Sequence, residues 1–191
     1  MKALNKISIA SAVLALVGVC SLSLRGDEGK HNGSWRQIVI DVACDARTFA
    51  LNTTSPSDTG PVRGSTFIVN GKIYPGGTIP AGNGFDINTP GLIGTWVCSG
   101  AFNYSISEIM AGSAPGQSTT QNYLFSPTGA LAVDDSLASV GEEGGITTHR
   151  VVSGGTGSYV GMIGEVKQEV LGVNSSGLFN FRFTFMVRSP E

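Results

Sequence analysis

Asp41, His149 and Arg150 are the side chains of this 191-residue chain best suited to acid–base chemistry. Asp41 follows Ile40 in a strand-like segment and would face away from it, so its carboxyl lies either in solvent or in a pocket. His149 and Arg150 are adjacent, so they face opposite sides of a strand. A buried His149 would serve as a general base, and a surface or rim histidine is the alternative. We take these three as the candidate catalytic residues.

Aromatic side chains supply the candidate ligand contacts. In segment 178–188, four phenylalanines alternate with other residues, so their rings point to one side of a strand. Such a row fills a core, lines an apolar pocket or faces a partner. Tyrosines can add a hydroxyl to a ligand site, although structural tyrosines are the alternative. The predicted ligand-binding residues are Tyr74, Tyr123, Phe181 and Phe183.

Eight strand-like segments must position these side chains, because apolar or β-branched runs alternate with Gly, Pro, Asn and Ser clusters. They span residues 35–46, 65–74, 94–104, 119–125, 130–136, 145–153, 160–173 and 178–188. A single helical turn is predicted over residues 137–143. Short strands joined by turns indicate an antiparallel sandwich or a closed barrel. Eight in succession favour an all-β, eight-stranded antiparallel β-barrel, because closure removes exposed edges.

Composition excludes several classes of protein. Charged residues are only 14% of the chain, and 27 residues are glycine. This excludes a coiled coil, a disordered tail and, since the glycines have no three-residue period, a collagen-like chain.

The first 23 residues are typical of a secretory signal peptide, with Lys2 and Lys6 before an apolar stretch that is too short to span a membrane. A membrane anchor and a lipoprotein site at Cys20 are the alternatives. We predict cleavage, a flexible leader over 24–33 and one barrel domain over 34–191. The protein would then be secreted or periplasmic, with no membrane span after cleavage. The mature chain would have 10 basic and 14 acidic residues, which makes nucleic acid an unsuitable partner.

Cys44 and Cys98 are the two cysteines left after cleavage. In an oxidising compartment an isolated pair is most simply a disulfide. Two free buried thiols are the alternative. No His, Cys, Asp or Glu spacing is typical of a metal site, so no metal and no cofactor are predicted.

The segment 154–164 carries the sequence Gly-Gly-Thr-Gly-Ser-Tyr-Val-Gly-Met-Ile-Gly. It resembles the GG[TS]G-x-[FY]-x-G-x-x-G signature of the allene oxide cyclase and dirigent barrels. We expect these glycines to form a turn between strands and to punctuate the strand that follows. The predicted structural glycines are Gly154, Gly155, Gly157, Gly161 and Gly164. A phosphate cradle is excluded because a strand, not a helix, follows.

The resemblance implies a calycin-like barrel, a homotrimer and an apolar interior that binds a small apolar molecule while it cyclises or couples. It implies an isomerase without a cofactor. Asp41 is the acid nearest to the first-strand Glu of the cyclases, and Arg150 lies two residues nearer the glycines than the Arg of dirigent proteins. The alternatives are a non-catalytic carrier of a small ligand, or a structural or protein-interaction module of the cell envelope or secretome.

Overall fold

The computed structural model describes residues 34–55, 57, 60–111, 116–126 and 135–189. The predicted signal peptide and leader lie outside the described residues. Within them, the chain forms one five-residue helix, α1 (Ile106–Met110), short 3₁₀ turns at Ala46–Thr48 and Gly157–Tyr159, and nine strands. The strands are β1 (Arg36–Cys44), β2 (Ala50–Asn52), β3 (Thr66–Pro75), β4 (Gly94–Phe102), β5 (Gln117–Phe125), β6 (Asp135–Glu143), β7 (Thr147–Thr156), β8 (Ile163–Val173) and β9 (Phe179–Arg188).

Eight of the strands close into an antiparallel barrel, as the sequence predicted. The order runs β1-β9-β8-β7-β6-β5-β4-β3, and β1 also pairs with β3. The closing register joins Ile40 to Pro75 and Cys44 to Gly71. The short β2 lies outside this cycle and pairs only with the start of β3. Closure leaves no free edge among the eight strands, which removes the usual template for edge-to-edge aggregation.

The period-2 alternation of the strands separates a packed interior from a wet exterior. In β9, Phe183 and Phe185 are fully buried inside the barrel, whereas Met186 is exposed. In β8, Val166 is fully buried, and its neighbours Glu165 and Lys167 face outward. The prediction that the phenylalanines of segment 178–188 share one side of a strand is therefore confirmed.

One end of the barrel is closed by apolar side chains. Met162 and Val187 are buried there, and Tyr159 packs against the same core from the 3₁₀ turn after β7. The Tyr159 ring also contacts the ring of Phe125, which ends β5, in a tilted arrangement with centroids 5.3 Å apart. Because these residues cover the end of the interior, access has to come from the opposite end.

The connection between β3 and β4, residues 76–93, covers part of the outer wall; we call it the strap. Ile79 and Ile87 of the strap form a second small core with Ala43 and Tyr74, whose side chains face outward from the barrel. Backbone hydrogen bonds also join the strap to β8, with the amide of Gly82 donating to the carbonyl of Leu171. Outward-facing apolar residues on β1 and β3 are therefore buried without being in the barrel interior.

The helical turn predicted for residues 137–143 is wrong. These residues belong to β6, which pairs with β5 along its whole length and with β7 over Ser136–Val140. Leu137 and Ser139 are both completely buried in the interior. The apolar period of this segment is 2, but its Ala, Ser and Gly residues weaken the strand signal.

The glycine segment has a different geometry from the predicted turn. Gly154 and Gly155 lie near the end of β7, after a register shift against β6, and the chain turns at Gly157–Tyr159. Gly164 does allow a close approach: a Cβ atom there would overlap the carbonyl oxygen of Met186 on β9. The signature therefore serves strand packing as much as the turn.

No helix in the described part of the chain combines the length and apolar character needed to cross a membrane.

Candidate functional site

The lower half of the barrel interior, next to the closed end, is filled by aromatic and aliphatic side chains. Tyr123 makes edge contacts with Phe183 and Phe185, with ring centroids 5.2 and 4.9 Å apart. Leu137 and Val166 complete this layer, and all five are fully buried. This layer forms a floor, so that a small molecule in the interior has to lie above it.

Above the floor, the interior holds a cavity of about 670 Å³ at the opposite end of the barrel. Its lining comes from strand ends that meet there and from the loops beside them. The lining residues are Cys44, Phe49, Pro61, Phe67, Val69, Trp96, Cys98, Phe102, Gly116, Gln117, Glu143, Gly144, Gly145, Thr148, Gln168, Val170, Leu178, Phe179 and Phe181. The wall is thus mostly aromatic and aliphatic, with a few polar groups, as in typical small-molecule sites.

Two phenylalanines mark the mouth of this cavity. Phe49 follows β1 and is 41% exposed, and Phe179 opens β9 and is 50% exposed. Phe179 stacks toward the buried Phe181, with ring centroids 6.1 Å apart. A continuous aromatic surface therefore runs from solvent into the barrel.

Glu143 brings a carboxylate to the cavity. It ends β6, its side chain is only 19% exposed, and three donors converge on its Oε1 atom. Gln121 Nε2 donates at 2.6 Å, Thr119 Oγ1 at 3.3 Å and Arg150 at 3.4 Å. The Oε2 atom has no hydrogen-bond partner among the described residues, so one carboxylate oxygen is held and the other is available.

Arg150 lies behind Glu143 with its side chain completely buried. Its Nε donates to Ser139 Oγ at 3.1 Å, and another guanidinium nitrogen donates to the carbonyl of Thr119 at 3.0 Å. A buried guanidinium needs such partners because removing its charge from water is strongly unfavourable. Arg150 does not line the cavity; together with Gln121 and Thr119 it holds the Oε1 atom of the Glu143 carboxylate.

Two glutamines and a tyrosine extend this polar cluster. Gln121 Nε2 also donates to Gln168 Oε1 at 2.9 Å, and Tyr123 donates its hydroxyl to Gln121 Oε1 at 2.6 Å. Burial raises the pKa of the Tyr123 hydroxyl, so it stays protonated and acts as that donor. Gln168 lines the cavity, whereas Gln121 supports it from below.

Trp96 is a further polar feature of the cavity wall. Its indole ring packs near Phe181 and Phe183, with centroids about 6 Å away. Its buried Nε1 donor has no hydrogen-bond partner in the described part of the chain. An unpaired buried donor typically costs about 1–3 kcal/mol, a penalty that burial of the indole ring offsets.

The predicted catalytic residues are separated by the barrel wall. Arg150 is inside, but His149 faces outward, with its side chain 60% exposed and 3.8 Å from the carboxylate of Glu165. Asp41 is also outside, where it is buried beneath the strap. It pairs with Arg182 at 2.8 Å and accepts hydrogen bonds from the amides of Gly77 and Ile79. The expectation that Asp41 lies either in solvent or in a pocket is therefore corrected: it holds the strap on the outer wall.

The predicted ligand-binding aromatics divide in a similar way. Tyr123, Phe181 and Phe183 face the interior, but only Phe181 lines the cavity, since the other two belong to the floor. Tyr74 faces outward, and its hydroxyl donates to the carbonyl of Ile87 in the strap. Its position on β3 places it next to Ile73, which takes the interior position.

The expected disulfide between Cys44 and Cys98 is not formed, and both thiols are free and buried. Cys44 pairs with Gly71 of β3, and Cys98 pairs with Val69 of the same strand. Because β3 lies between them, the two Cα atoms are separated by roughly two strand spacings, about 9–10 Å, across the sheet. Their partners on β3 are two residues apart, which adds an offset of about 6–7 Å along the strands. A disulfide needs Cα atoms within about 7 Å.

Both thiols line the cavity as neutral groups. Burial raises the pKa of Cys98 to about 12, and burial also raises the pKa of Cys44 well above its usual value. The thiol form is therefore the one present at neutral pH, and it adds weakly polar, polarisable surface to the wall.

Sequence reasoning missed Glu143, Gln121 and Gln168 as site residues. The helical turn predicted over residues 137–143 hides that Glu143 shares a strand face with Leu137 and Ser139. Gln168 alternates with valines on the apolar face of β8, and a polar residue on such a face is the signal that could have found it.

No protein-family model matches the chain, and no curated protein matches it. Solved structures do. The pterocarpan synthase dirigent protein PsPTS1 has a TM-score of 0.59 and 11% identity, covering 83% of this chain and 97% of that one. The pterocarpan synthase dirigent protein GePTS1 has a TM-score of 0.56 and 10% identity, covering 88% and 99%. The Diels Alderase AbmU from Streptomyces koyangensis has a TM-score of 0.46 and 13% identity, covering 84% and 70%. The first two show that this chain has the dirigent barrel fold.

Proposed function

We propose that the barrel binds one small, mostly apolar molecule in the cavity at its open end and steers the cyclisation of that molecule. The observation that carries the proposal is the cavity of about 670 Å³, with an aromatic wall, a packed floor and one polar cluster. This volume lies within the range of about 300–1,000 Å³ found for small-molecule sites.

Binding would be driven by burial of apolar surface. Each Å² of apolar surface removed from water contributes about 25 cal/mol, so a ligand that buries about 200 Å² gains roughly 5 kcal/mol before the loss of its own freedom. Phe67, Phe102 and Phe181 supply rings, and Val69 and Val170 supply aliphatic contacts. The ligand class that fits is an aromatic or polyunsaturated molecule with few polar groups.

Cyclisation is the reaction that such a site supports best. Ring closure within one molecule needs no second reactant, and part of its barrier is the loss of freedom when two distant atoms of a flexible chain are brought together. A closed floor and rigid walls hold the chain folded, and such positioning can provide a large part of a rate acceleration. The two solved structures that show the fold are named pterocarpan synthases, which supports a synthetic role for this barrel.

A non-catalytic carrier is the second candidate. It is favoured by the polar cluster itself, in which Arg150, Gln121 and Tyr123 are all hydrogen-bonded to one another or to Glu143 and Ser139. Few groups are left to take part in a reaction.

We also propose that the protein is secreted and that it forms a homotrimer. The basic and apolar pattern of residues 1–23 supports export, and the glycine signature supports a homotrimer. N-terminal sequencing of the protein from its native host should begin near residue 24, and light scattering should give three times the chain mass. An uncleaved N-terminus or a monomer would overturn the respective part.

Two single substitutions, Val69→Phe and Ile68→Phe, test where the ligand binds. Val69 lines the cavity, and its neighbour Ile68 is 45% exposed on the outer wall. N-phenyl-1-naphthylamine, a neutral dye that fluoresces in apolar sites, should bind the wild type and Ile68→Phe equally. Val69→Phe should weaken binding at least about tenfold, which corresponds to the loss of about 1.4 kcal/mol. Equal binding to both variants would contradict binding in the cavity.

Native mass spectrometry then separates cyclase from carrier. A molecule extracted from freshly purified protein is identified and returned to the protein. A cyclase converts it, or its open-chain isomer, to a product of identical mass and different retention time, because ring closure within one molecule conserves all atoms. Unchanged substrate after prolonged incubation would favour the carrier.

A further inference from the structure

We propose that Glu143 and Gln168 form a matched acceptor and donor that select an uncharged ligand with a carbonyl and an adjacent N–H or O–H group, such as a carboxamide or a lactam, and reject the corresponding carboxylate. This inference rests on the proposed function, since it names the class of molecule that the same cavity would bind.

The acceptor is the Oε2 atom of Glu143. The three donors that the described residues supply to this carboxylate, from Thr119, Gln121 and Arg150, reach Oε1. Oε2 has no partner among the described residues, and Glu143 lines the cavity. A carboxylate whose position is fixed through one oxygen presents the other to a ligand in a defined direction.

The donor is the side-chain amide of Gln168, and the chain of hydrogen bonds fixes its orientation. The Glu143 carboxylate can only accept, so the Gln121 atom that faces it must be the NH₂ group. The same NH₂ group faces Gln168 at 2.9 Å, so the Gln168 atom there must be the carbonyl oxygen. The NH₂ group of Gln168 is then the free end, without a partner in the described residues.

The charge in the cavity wall sets the selectivity. Glu143 is the only charged residue among the described residues that line the cavity. The positive charge of Arg150 is completely buried behind it, where it pairs with Oε1 of Glu143 at 3.4 Å and is also bonded to Ser139 and to the carbonyl of Thr119. Because Arg150 does not line the cavity, a ligand meets the Oε2 side of the carboxylate and not the guanidinium. A carboxylate ligand would therefore meet the carboxylate of Glu143 first, whereas a neutral amide donates to Glu143 and accepts from Gln168. Like charges placed opposite each other suppress binding of the wrong partner.

The test compares 2-naphthamide with 2-naphthoate, which have nearly the same shape and differ in charge and in donor capacity. Affinities are measured by isothermal titration calorimetry on the folded protein at pH 7.5, with naphthalene as the purely apolar reference. We expect 2-naphthamide to bind at least about tenfold more tightly than 2-naphthoate, and more tightly than naphthalene.

Two variants assign the preference to the cluster. Glu143→Gln removes the negative charge and adds a donor, so the ratio of amide to carboxylate affinity should fall at least about fivefold. The matched control is Glu142→Gln, which makes the same change in net charge on the exposed neighbour that faces outward; its ratio should stay as in the wild type. Gln168→Leu should weaken 2-naphthamide and leave naphthalene unchanged. Melting curves identify any variant that fails to fold. If Glu143→Gln does not fold, Gln168→Leu still tests the proposal.

The outcomes distinguish the two levels of the proposal. If naphthalene and both derivatives fail to bind, the proposed function fails. If naphthalene binds and the amide and carboxylate bind equally, or if Glu142→Gln changes the ratio as much as Glu143→Gln, the cavity binds ligands but the inference about Glu143 and Gln168 is overturned.

Discussion

At the residue scale, Arg150 is a buried charged residue of the barrel wall whose hydrogen bonds within the described residues all go to other barrel residues. Its guanidinium is buried and bonded to Glu143, to Ser139 and to the carbonyl of Thr119. Its sequence neighbour His149 is exposed on the other side of the same strand. The pair therefore offers a buried position and an internal control one residue apart.

We expect Arg150→Met to lower the free energy of unfolding by about 3 kcal/mol, because the Glu143 carboxylate and the Thr119 carbonyl lose a buried partner. His149→Gln should change it by less than about 0.5 kcal/mol, as is usual for surface substitutions. Urea denaturation of both variants measures the difference. Equal stability would mean that Arg150 is not part of a buried network.

The thiols make a second prediction at this scale. The pKa of Cys98 is raised to about 12 in the folded protein, against an ordinary value of 9.0, and the pKa of Cys44 is also raised by burial. The stabilisation from the protonated thiols is complete below pH 9, and it is lost as the pH rises above 9, because the unfolded chain then releases protons that the folded chain keeps.

Unfolding free energies measured from pH 8 to pH 10.5 should therefore fall with pH, and less steeply in Cys44→Ala/Cys98→Ala than in the wild type. The slope, rather than the absolute stability, is compared, since both substitutions leave small cavities. Identical slopes would contradict the assignment to these thiols.

The same two residues predict how the protein responds to reductant. Because β3 lies between Cys44 and Cys98, no disulfide is available to be reduced. The melting temperature should be the same with and without dithiothreitol, and the denatured wild type should react with two equivalents of a thiol reagent per mature chain. A lower melting temperature with dithiothreitol would show that Cys44 and Cys98 do form a disulfide.

At the element scale, the strap shows how an acid can be buried without being in a binding site. Asp41 on β1 accepts two strap amides and pairs with Arg182 on β9. The Asp41 carboxylate in turn raises the pKa of Arg182, chiefly through their hydrogen bond. One side chain thus joins two strands to residues 76–93.

Asp41→Asn should lower the free energy of unfolding by about 2–4 kcal/mol, since it leaves Arg182 without its carboxylate partner and weakens the strap amide bonds. Hydrogen exchange should increase most at the backbone amides of Gly77 and Ile79, while the amides of the barrel strand β5 stay protected. Asp86→Asn in the exposed part of the strap is the matched control, because its carboxylate bonds only Asn88 among the described residues. Loss of protection throughout the barrel in Asp41→Asn, or equal effects of the two substitutions, would refute the local role of Asp41.

Most strands could be predicted from the sequence, and the reason is physical. Segments such as β8 and β9 have one apolar and one polar face, which fixes their period and register. In contrast, β6 has small residues facing the interior at Ser139 and Gly141, and this makes room for the long side chain of Arg150, whose Cγ lies 3.2 Å from the Cβ position at Gly141. The sequence pattern of β6 is weak because its small interior residues are complemented by Arg150 on β7 and not by large side chains of its own.

The site could be predicted only in part. The Phe row indicated an apolar strand face, and Arg150 was a candidate catalytic residue, but which side of β1 and β3 faces inward depends on barrel closure and on the strap. Since the strap buries the outer face locally, Asp41 and Tyr74 are buried for reasons that strand alternation cannot show. Glu143 becomes a cavity residue only through its distant partners Gln121 and Arg150.

At the scale of the whole molecule, the barrel has one filled half and one hollow half. The closed end is packed by residues such as Met162 and Val187, and the floor by Tyr123, Phe183 and Phe185. At the open end, the cavity of about 670 Å³ lies between this floor and the mouth, where Phe49 and Phe179 are part of its lining. The packed half thus forms the floor on which a ligand in the open half would rest.

The location of a bound molecule tests this account most directly. Crystals soaked in 6-bromo-2-naphthol, and examined at the bromine absorption edge, would show the halogen by its anomalous signal. The account predicts one bromine peak per barrel inside the cavity, within contact distance of Val69 and Phe181, with the hydroxyl oriented toward Glu143. A peak only on the outer wall, or an interior without bromine at saturating concentration, would contradict it.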